Sequence, residues 1–298
     1  MIFSAELFVQ TLIAGVMIGV LYALMALGIT FIYSIVKMIN WAMGEFYMIG
    51  SYAQFIFVVY WLGPDLWWLA ALLSSVSVFL VGVALEPVLI KPMFTQGIER
   101  RDDYATVVTI ALLLMLRNLA AALGGPYQRT PGSNLKMVMI GPLPQSGARV
   151  AAFLCALAAI GGFWLLLKKT WLGLALRAAS QSRVGVQTAG VDVLRLDQFA
   201  FGIGVALAGI AGALLAPVFL VFPTNGVITT VKGFEIVVIG GLGSIPGALV
   251  AGVLLGVVES LGAAFIASPY QNAYGFLLVL VILLIRPTGL FGERTRQA

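Results

Sequence analysis

Long stretches of this chain carry no charge at all. Residues 7–36 hold no Asp, Glu, Lys or Arg, and further uncharged runs cover 46–64, 66–85, 104–116, 150–167, 198–231, 236–258 and 260–285. About 20 apolar residues are enough for a helix to cross a hydrocarbon core of ~30 Å. These runs are apolar on every side, whereas a barrel strand alternates apolar and polar positions over about 10 residues. The expected fold class is therefore all-α: a polytopic membrane helix bundle of about eight apolar segments. The third segment continues past Glu86 toward Ile90 and the fourth past Arg117 to about Leu123, so ionisable groups fall within or near the membrane.

Composition agrees and narrows the chemistry. Apolar residues make up 61% of the 298 and charged residues 10%, against about 45–50% and ~25% in an ordinary soluble domain. Little chain is left for an extramembrane domain, so residues 1–298 are expected to form one transmembrane domain and no enzyme. There is no histidine, and Cys155 is the one cysteine. Zinc, haem and iron–sulfur sites built on those ligands are thereby excluded, as is an intrachain disulfide; no cofactor, metal or catalytic residue is expected. In so apolar a chain the net charge of +5 marks loops beside anionic lipid rather than a nucleic-acid surface. No basic residue precedes Lys37, and the run from Leu7 is too long for a signal-peptide core, so it is expected to be a retained span.

Lys and Arg near span ends favour the cytoplasm. Lys37, Lys91, Arg100, Arg101, Lys168, Lys169, Arg177, Arg183, Arg195, Arg286, Arg294 and Arg296 can all lie inside, leaving Arg129, Lys136, Arg149 and Lys232 outside. The N-terminus is then outside and the C-terminus inside. Three apolar segments after the 168–197 loop would return the tail to the wrong side, so one segment cannot be a simple crossing. Residues 240–247 read Gly-Gly-Leu-Gly-Ser-Ile-Pro-Gly, and an interior Pro costs a helix about 3 kcal/mol and each Gly up to ~1 kcal/mol. We expect a broken, re-entrant-like hairpin over 233–262, entering and leaving by the outer face. Irregular backbone at membrane depth survives only against protein or a water-filled cavity, which points the break toward a transport pathway.

Glycines four apart, Gly15/Gly19, Gly243/Gly247 and Gly252/Gly256, let helices approach closely and imply packing rather than function. Asn40-Trp41-Ala42-Met43-Gly44-Glu45 opens the second span. Its carboxylate either meets the helix dipole or serves gating or subunit contact. Glu86, Arg117 and Glu259 lie within spans, where ionisable groups face a partner or a cavity; an internal pair with Arg117 is one option and substrate contact the other. The stretch Lys168–Asp197 exceeds the 2–8 residues of ordinary helix connections. Residues 173–190 are expected to form a short amphipathic helix, lying either on lipid or against a cytoplasmic partner. For a partner, Ala178, Ala179 and Ser180 offer close approach and Arg177 and Arg183 offer charge.

Tyr22-Ala-Leu-Met-Ala-Leu-Gly28, Asn40-Trp-Ala-Met-Gly44-Glu45, Arg177-Ala-Ala with Gly190, and Gly240-Gly-Leu-Gly-Ser-Ile-Pro-Gly-Ala248 resemble the LivH-type permease subunits of ATP-binding-cassette importers for branched-chain amino acids. The resemblance covers nearly the whole chain. Where the family commonly has Asn-Phe-Ala-His-Gly-Glu, this sequence has Trp41 and Met43. The resemblance implies a multi-pass protein of the bacterial inner membrane, paired with a paralogous permease, two cytoplasmic ATPases and an extracytoplasmic substrate-binding protein. The translocation pathway is expected near Asn40, Gly44, Glu45, Gly241, Gly243, Ser244, Pro246 and Gly247. ATPase coupling would fall to Arg177, Ala178, Ala179, Arg183 and Gly190 in a loop at about 168–197. No lysine follows a glycine, so the chain lacks the phosphate loop that would bind a nucleotide. The rival is an ion-coupled secondary transporter of a small solute, which also uses broken helices and buried carboxylates. Such transporters usually contain inverted repeats, and no second Gly-Pro interruption matches 240–247.

Overall fold

A computed structural model describes residues 5–140 and 143–292. The helices in order are α1 (Ala5–Val36), α2 (Met43–Ile56), α3 (Trp67–Leu89), α4 (Pro92–Thr95), α5 (Arg101–Gly124), α6 (Gly147–Lys169), α7 (Trp171–Gln181), α8 (Arg183–Thr188), α9 (Val193–Leu215), α10 (Asn225–Gly240), α11 (Ile245–Phe265) and α12 (Gln271–Ile285). Two three-residue strands, β1 (Val138–Ile140) and β2 (Leu143–Gln145), pair antiparallel in the α5–α6 connection. Among the described residues, seven helical stretches are long and apolar enough to span a membrane. The all-α polytopic bundle expected from the sequence is what forms.

Glycine places the central helices backbone to backbone. A Cβ on Gly15 would lie 2.9 Å from the Val257 Cα and one on Gly19 2.7 Å from the Val253 Cα, so α1 and α11 run antiparallel in direct contact. Ser34 Oγ donates to the Gly243 carbonyl (2.9 Å) at one end of this pair, and the rings of Phe8 and Phe265 meet at the other. α9 lies antiparallel to both α1 and α3: Gly28 faces Gly204, and Gln198 Nε2 donates to the Val83 carbonyl (2.8 Å). α1 and α9 are the most enclosed helices, whereas α5, α6 and α12 turn apolar side chains such as Leu123, Leu165 and Leu284 outward, as lipid contact demands.

These contacts define two ends. At the first, called here the Lys37 end, the C-terminus of α1 meets α7, α8, the start of α9 and the α10–α11 turn. At the second lie the β-hairpin, the bridge between Arg129 and Val221, and the turn Ser268–Tyr270. Lys37 adopts a positive φ of 59° and reverses the chain. Residues 37–42 then run without helix into the bundle, so that Met43 lies beside Gly28, about 12 Å up α1 from its end at ~1.5 Å per residue. α2 thus starts partway through the bundle and leaves by a π-helical stretch, Phe57–Leu62, to Gly63 (φ 75°) and Pro64.

A hairpin forms, but with longer legs than expected and not re-entrant: α11 is long and apolar enough to span, and the break lies at one end of the bundle rather than within it. The uncharged run 198–231 contains most of α9, a non-helical connection and the first part of α10; the run 236–258 contains the end of α10 and much of α11. The legs are Asn225–Gly240 and Ile245–Phe265, and the tip reaches the Lys37 end. The expected helix 173–190 is divided at Ser182 into α7 and α8. Arg294 and Arg296 lie outside the described residues.

Lys232 requires a correction. Placed by its sequence outside the membrane, it sits in the middle of α10, 9% exposed, bonded to Glu259 of α11. Its burial is tolerated because the carboxylate lies across the helix pair, 27 residues away in sequence.

Candidate functional site

The start of α2 packs against α10 through glycine. A Cβ on Gly226 would stand 2.6 Å from the Gly44 carbonyl oxygen, and the Gly44 amide donates to Thr230 Oγ1 (3.1 Å). Asn40 is buried, and its Oδ1 accepts from the Ala42 amide (3.0 Å). Trp41 packs against Phe234 with ring centroids 4.8 Å apart and planes inclined by 46°. Glu45 is fully buried; its Oε1 is 3.9 Å from Arg117 Nε and neither oxygen accepts a hydrogen bond. Arg117 therefore does pair with an internal carboxylate. Glu86 is also buried, with one oxygen unpartnered.

The other expected pathway residues lie at the hairpin tip. Gly44 meets Gly226 near the start of α10, so the tip is about 20 Å away along the helix at ~1.5 Å per residue. Gly241 and Gly243 have φ of 98° and 84°, a region that only glycine enters without strain. Ser244 caps α11, its Oγ accepting from the Gly247 amide (3.1 Å), and Pro246 occupies the first turn, where it displaces no hydrogen bond. The segment after α12 returns to the tip: the amides of Leu290 and Phe291 donate to the carbonyls of Ile239 (2.8 Å) and Gly240 (3.0 Å). These backbone groups of the break thus find protein partners.

Helix α7 has two faces. Gly173, Ala175, Leu176 and Ala179 are buried toward the bundle, and Leu176 borders Phe31, Ile35 and Ile245 of the tip. Trp171, Leu174, Arg177 and Ala178 are exposed. Between α7 and α8 runs an apolar groove of about 350 Å³, bordered by Trp171, Leu174, Ala178 and Val186. Two expectations change here. Ala179 faces the core rather than a partner. Arg183, expected to offer charge to a partner, is instead held by the bundle: it bonds the buried Asp197 carboxylate, donates to the Ile35 carbonyl (3.3 Å) and lies 4.3 Å from the Phe94 ring centroid. Gly190 follows α8 with φ 83° and is exposed.

Comparison with known proteins decides the family. Residues 11–285 match the family described as branched-chain amino acid transport system, permease component. The chain belongs to this branched-chain amino acid permease family. Its relatives include the high-affinity permease protein LivH of Salmonella typhimurium, 30% identical with 96% of each chain covered, and BraD of Pseudomonas aeruginosa, 32% identical over the same shares. LivM of Salmonella typhimurium is 26% identical, with 91% of this chain and 67% of LivM covered. No solved structure matches.

The permease also contains a charged cluster that the sequence did not reveal. Lys232 Nζ is 2.5 Å from Glu259 Oε1 and 5.4 Å from the Tyr22 ring centroid. Glu235 lies three residues further along α10. A cavity of about 500 Å³ opens beside Lys232 toward the end of the permease opposite Lys37, with Tyr22, Tyr47, Asn225, Thr229 and Lys232 among its polar lining. Leu215, Phe219 and Ile228 line its apolar side. Glu235 and Glu259 are legible as charges; what hid the cluster was that their partner looked like a loop lysine. Among the described residues no group of three or more His, Cys, Asp or Glu could hold a metal ion.

Proposed function

We propose that this chain is one permease domain of an ATP-driven importer of branched-chain or related amino acids in a bacterial inner membrane. It would pair with a paralogous permease and form the translocation pathway, while two cytoplasmic ATPases hydrolyse ATP and an extracytoplasmic protein delivers the substrate. The Lys37 end faces the cytoplasm in this reading, because Lys37, Lys168, Lys169 and Arg177 collect there. The N-terminus is then outside and the C-terminus inside.

The observation that carries the proposal is the position of α7. One face is packed on α1 and the hairpin tip, and the other borders an open apolar groove. A helix so placed can pass a partner's movement directly to the two central transmembrane elements. Arg177, Ala178 and Gly190 belong to the docking side in this account, while Ala179 and Arg183 hold the element to the bundle. Asn40, Gly44 and Glu45 border the pathway at depth. Gly241, Gly243, Ser244, Pro246 and Gly247 form its moving tip.

The test is uptake into proteoliposomes containing this chain, its paralogue and the ATPases. Leucine delivered by the binding protein should accumulate with internal ATP and no ion gradient. Uptake driven by a proton or sodium gradient without ATP would overturn the importer reading in favour of a secondary transporter.

A further inference from the structure

The Lys232–Glu259 pair is costly where it stands. Taking two charges out of water costs more than their attraction usually returns, and an apolar pair of similar volume is often at least as stable. Helix packing alone explains it poorly, since α10 already meets α11 backbone to backbone through Gly240 and Gly247. The pair is also incomplete. An ammonium has three donors, and Lys232 makes one hydrogen bond to Glu259. Glu235 Oε2 is buried with no hydrogen-bond partner, and Glu259 Oε2 makes no well-aligned hydrogen bond although Tyr22 and Gln271 stand beside that carboxylate.

Both carboxylates border the same point of α12. A Cβ on Gly275 would lie 2.6 Å from Glu235 Oε2 and 3.2 Å from Glu259 Oε1. With all three groups charged, two carboxylates share one ammonium, so the cluster is one cation short. Lys232 and the neighbouring Tyr22 line the 500 Å³ cavity, whose volume falls in the ~300–1,000 Å³ range of small-molecule sites.

We propose that this cluster recognises the two charges of a free α-amino acid in transit. Of the three charged groups only Lys232 lines the cavity; the substrate carboxylate accepts from its remaining N–H groups, and as Lys232 turns toward that carboxylate the substrate ammonium takes its place on Glu259 and Glu235. A branched apolar side chain then rests against Leu215, Phe219 and Ile228. No proton or bond is transferred; the ligand exchanges ion pairs with a pair that already exists. The inference rests on the importer reading for its substrate class and adds to it a site inside the permease.

The test uses the full chain with its partner subunits in proteoliposomes, in a Cys155→Ala background with Ile228→Cys as a reporter at the cavity. A membrane-impermeant thiol reagent should label the reporter from outside. L-leucine at about ten times its dissociation constant should slow that labelling about tenfold, the occupancy factor 1 + [L]/Kd of a single site. 3-Methylbutylamine, which lacks the carboxylate, and 4-methylpentanoate, which lacks the ammonium, should not slow it. The variant Lys232→Met with Glu259→Leu removes both charges together and should still copurify with the ATPases. It should lose the protection, and without the reporter its leucine uptake should fall by a similar factor. Absence of protection by leucine, equal protection by both analogues, or full uptake by the assembled double variant would each overturn the proposal. Protection without ATP-driven uptake in the unsubstituted complex would instead count against the importer reading and leave the site standing.

Discussion

Arg183 of α8 bonds the carboxylate of Asp197 on α9, and a second guanidinium nitrogen reaches the carbonyl of Ile35 on α1. One side chain thereby ties the loop to two central helices. Asp197 is fully buried, so removing the arginine leaves a buried carboxylate without its counter-charge. We predict that Arg183→Ala destabilises the chain on the order of 3 kcal/mol, the usual result of breaking rather than replacing such a pair. Arg183→Met combined with Asp197→Leu should recover most of it. Thermal unfolding in detergent reads both, and an unchanged midpoint for Arg183→Ala would refute the strut.

Ala178 and Ala179 are neighbours with opposite surroundings. Ala178→Glu, at the edge of the groove, is predicted to give an inserted, folded permease that no longer retains the ATPases. Ala179→Glu buries a carboxylate against the core at a cost of several kcal/mol and should reduce the amount of folded chain itself. Size-exclusion profiles and copurification of the ATPases separate the two. If Ala178→Glu still binds and couples normally, the groove is not the docking surface.

At the α2–α10 contact, Gly226→Ala would push its methyl against the Gly44 carbonyl. Overpacking of this kind costs about 1–3 kcal/mol, and the start of α2 must shift to relieve it. Gly161 in α6 provides the contrast, because a methyl added there would meet nothing within 4 Å. Gly161→Ala should stabilise the helix by up to about 1 kcal/mol. Opposite shifts in unfolding temperature are the expected outcome; equal shifts would count against the close contact.

Orientation can be read with single cysteines in a Cys155→Ala background. Ser133 and Ser268 lie at the end opposite Lys37 and should react with an impermeant thiol reagent from outside, whereas Ser182, between α7 and α8, should not. Labelling of Ser182 from outside would invert the proposed topology.

The helical bundle was legible because charge-free runs report membrane spans directly, and the Gly-Pro pattern at 240–247 reported a real break. The same criterion failed where turns are apolar. Pro217 and Pro223 lie in the connection between α9 and α10, yet no charge marks it, so two helices merged into one run. Lys232 failed in the converse way: a lone charge between uncharged runs resembles a loop until its distant carboxylate is known. The facing of α7 was partly legible. Gly173, Leu176 and Ala179 recur every three residues, the spacing of one helical face, whereas small size and charge do not tell Ala178 from Ala179 or Arg177 from Arg183.

The return of residues 290 and 291 to the end of α10 also constrains how the molecule is made. The amides that satisfy Ile239 and Gly240 belong to chain synthesised about fifty residues later. At ~5–20 residues per second that is several seconds of translation, during which α10 and α11 can enter the membrane but their connection cannot close. Completion of the tip therefore waits for the segment after α12, and a nascent chain that stops at Ile285 leaves those carbonyls without their backbone donors.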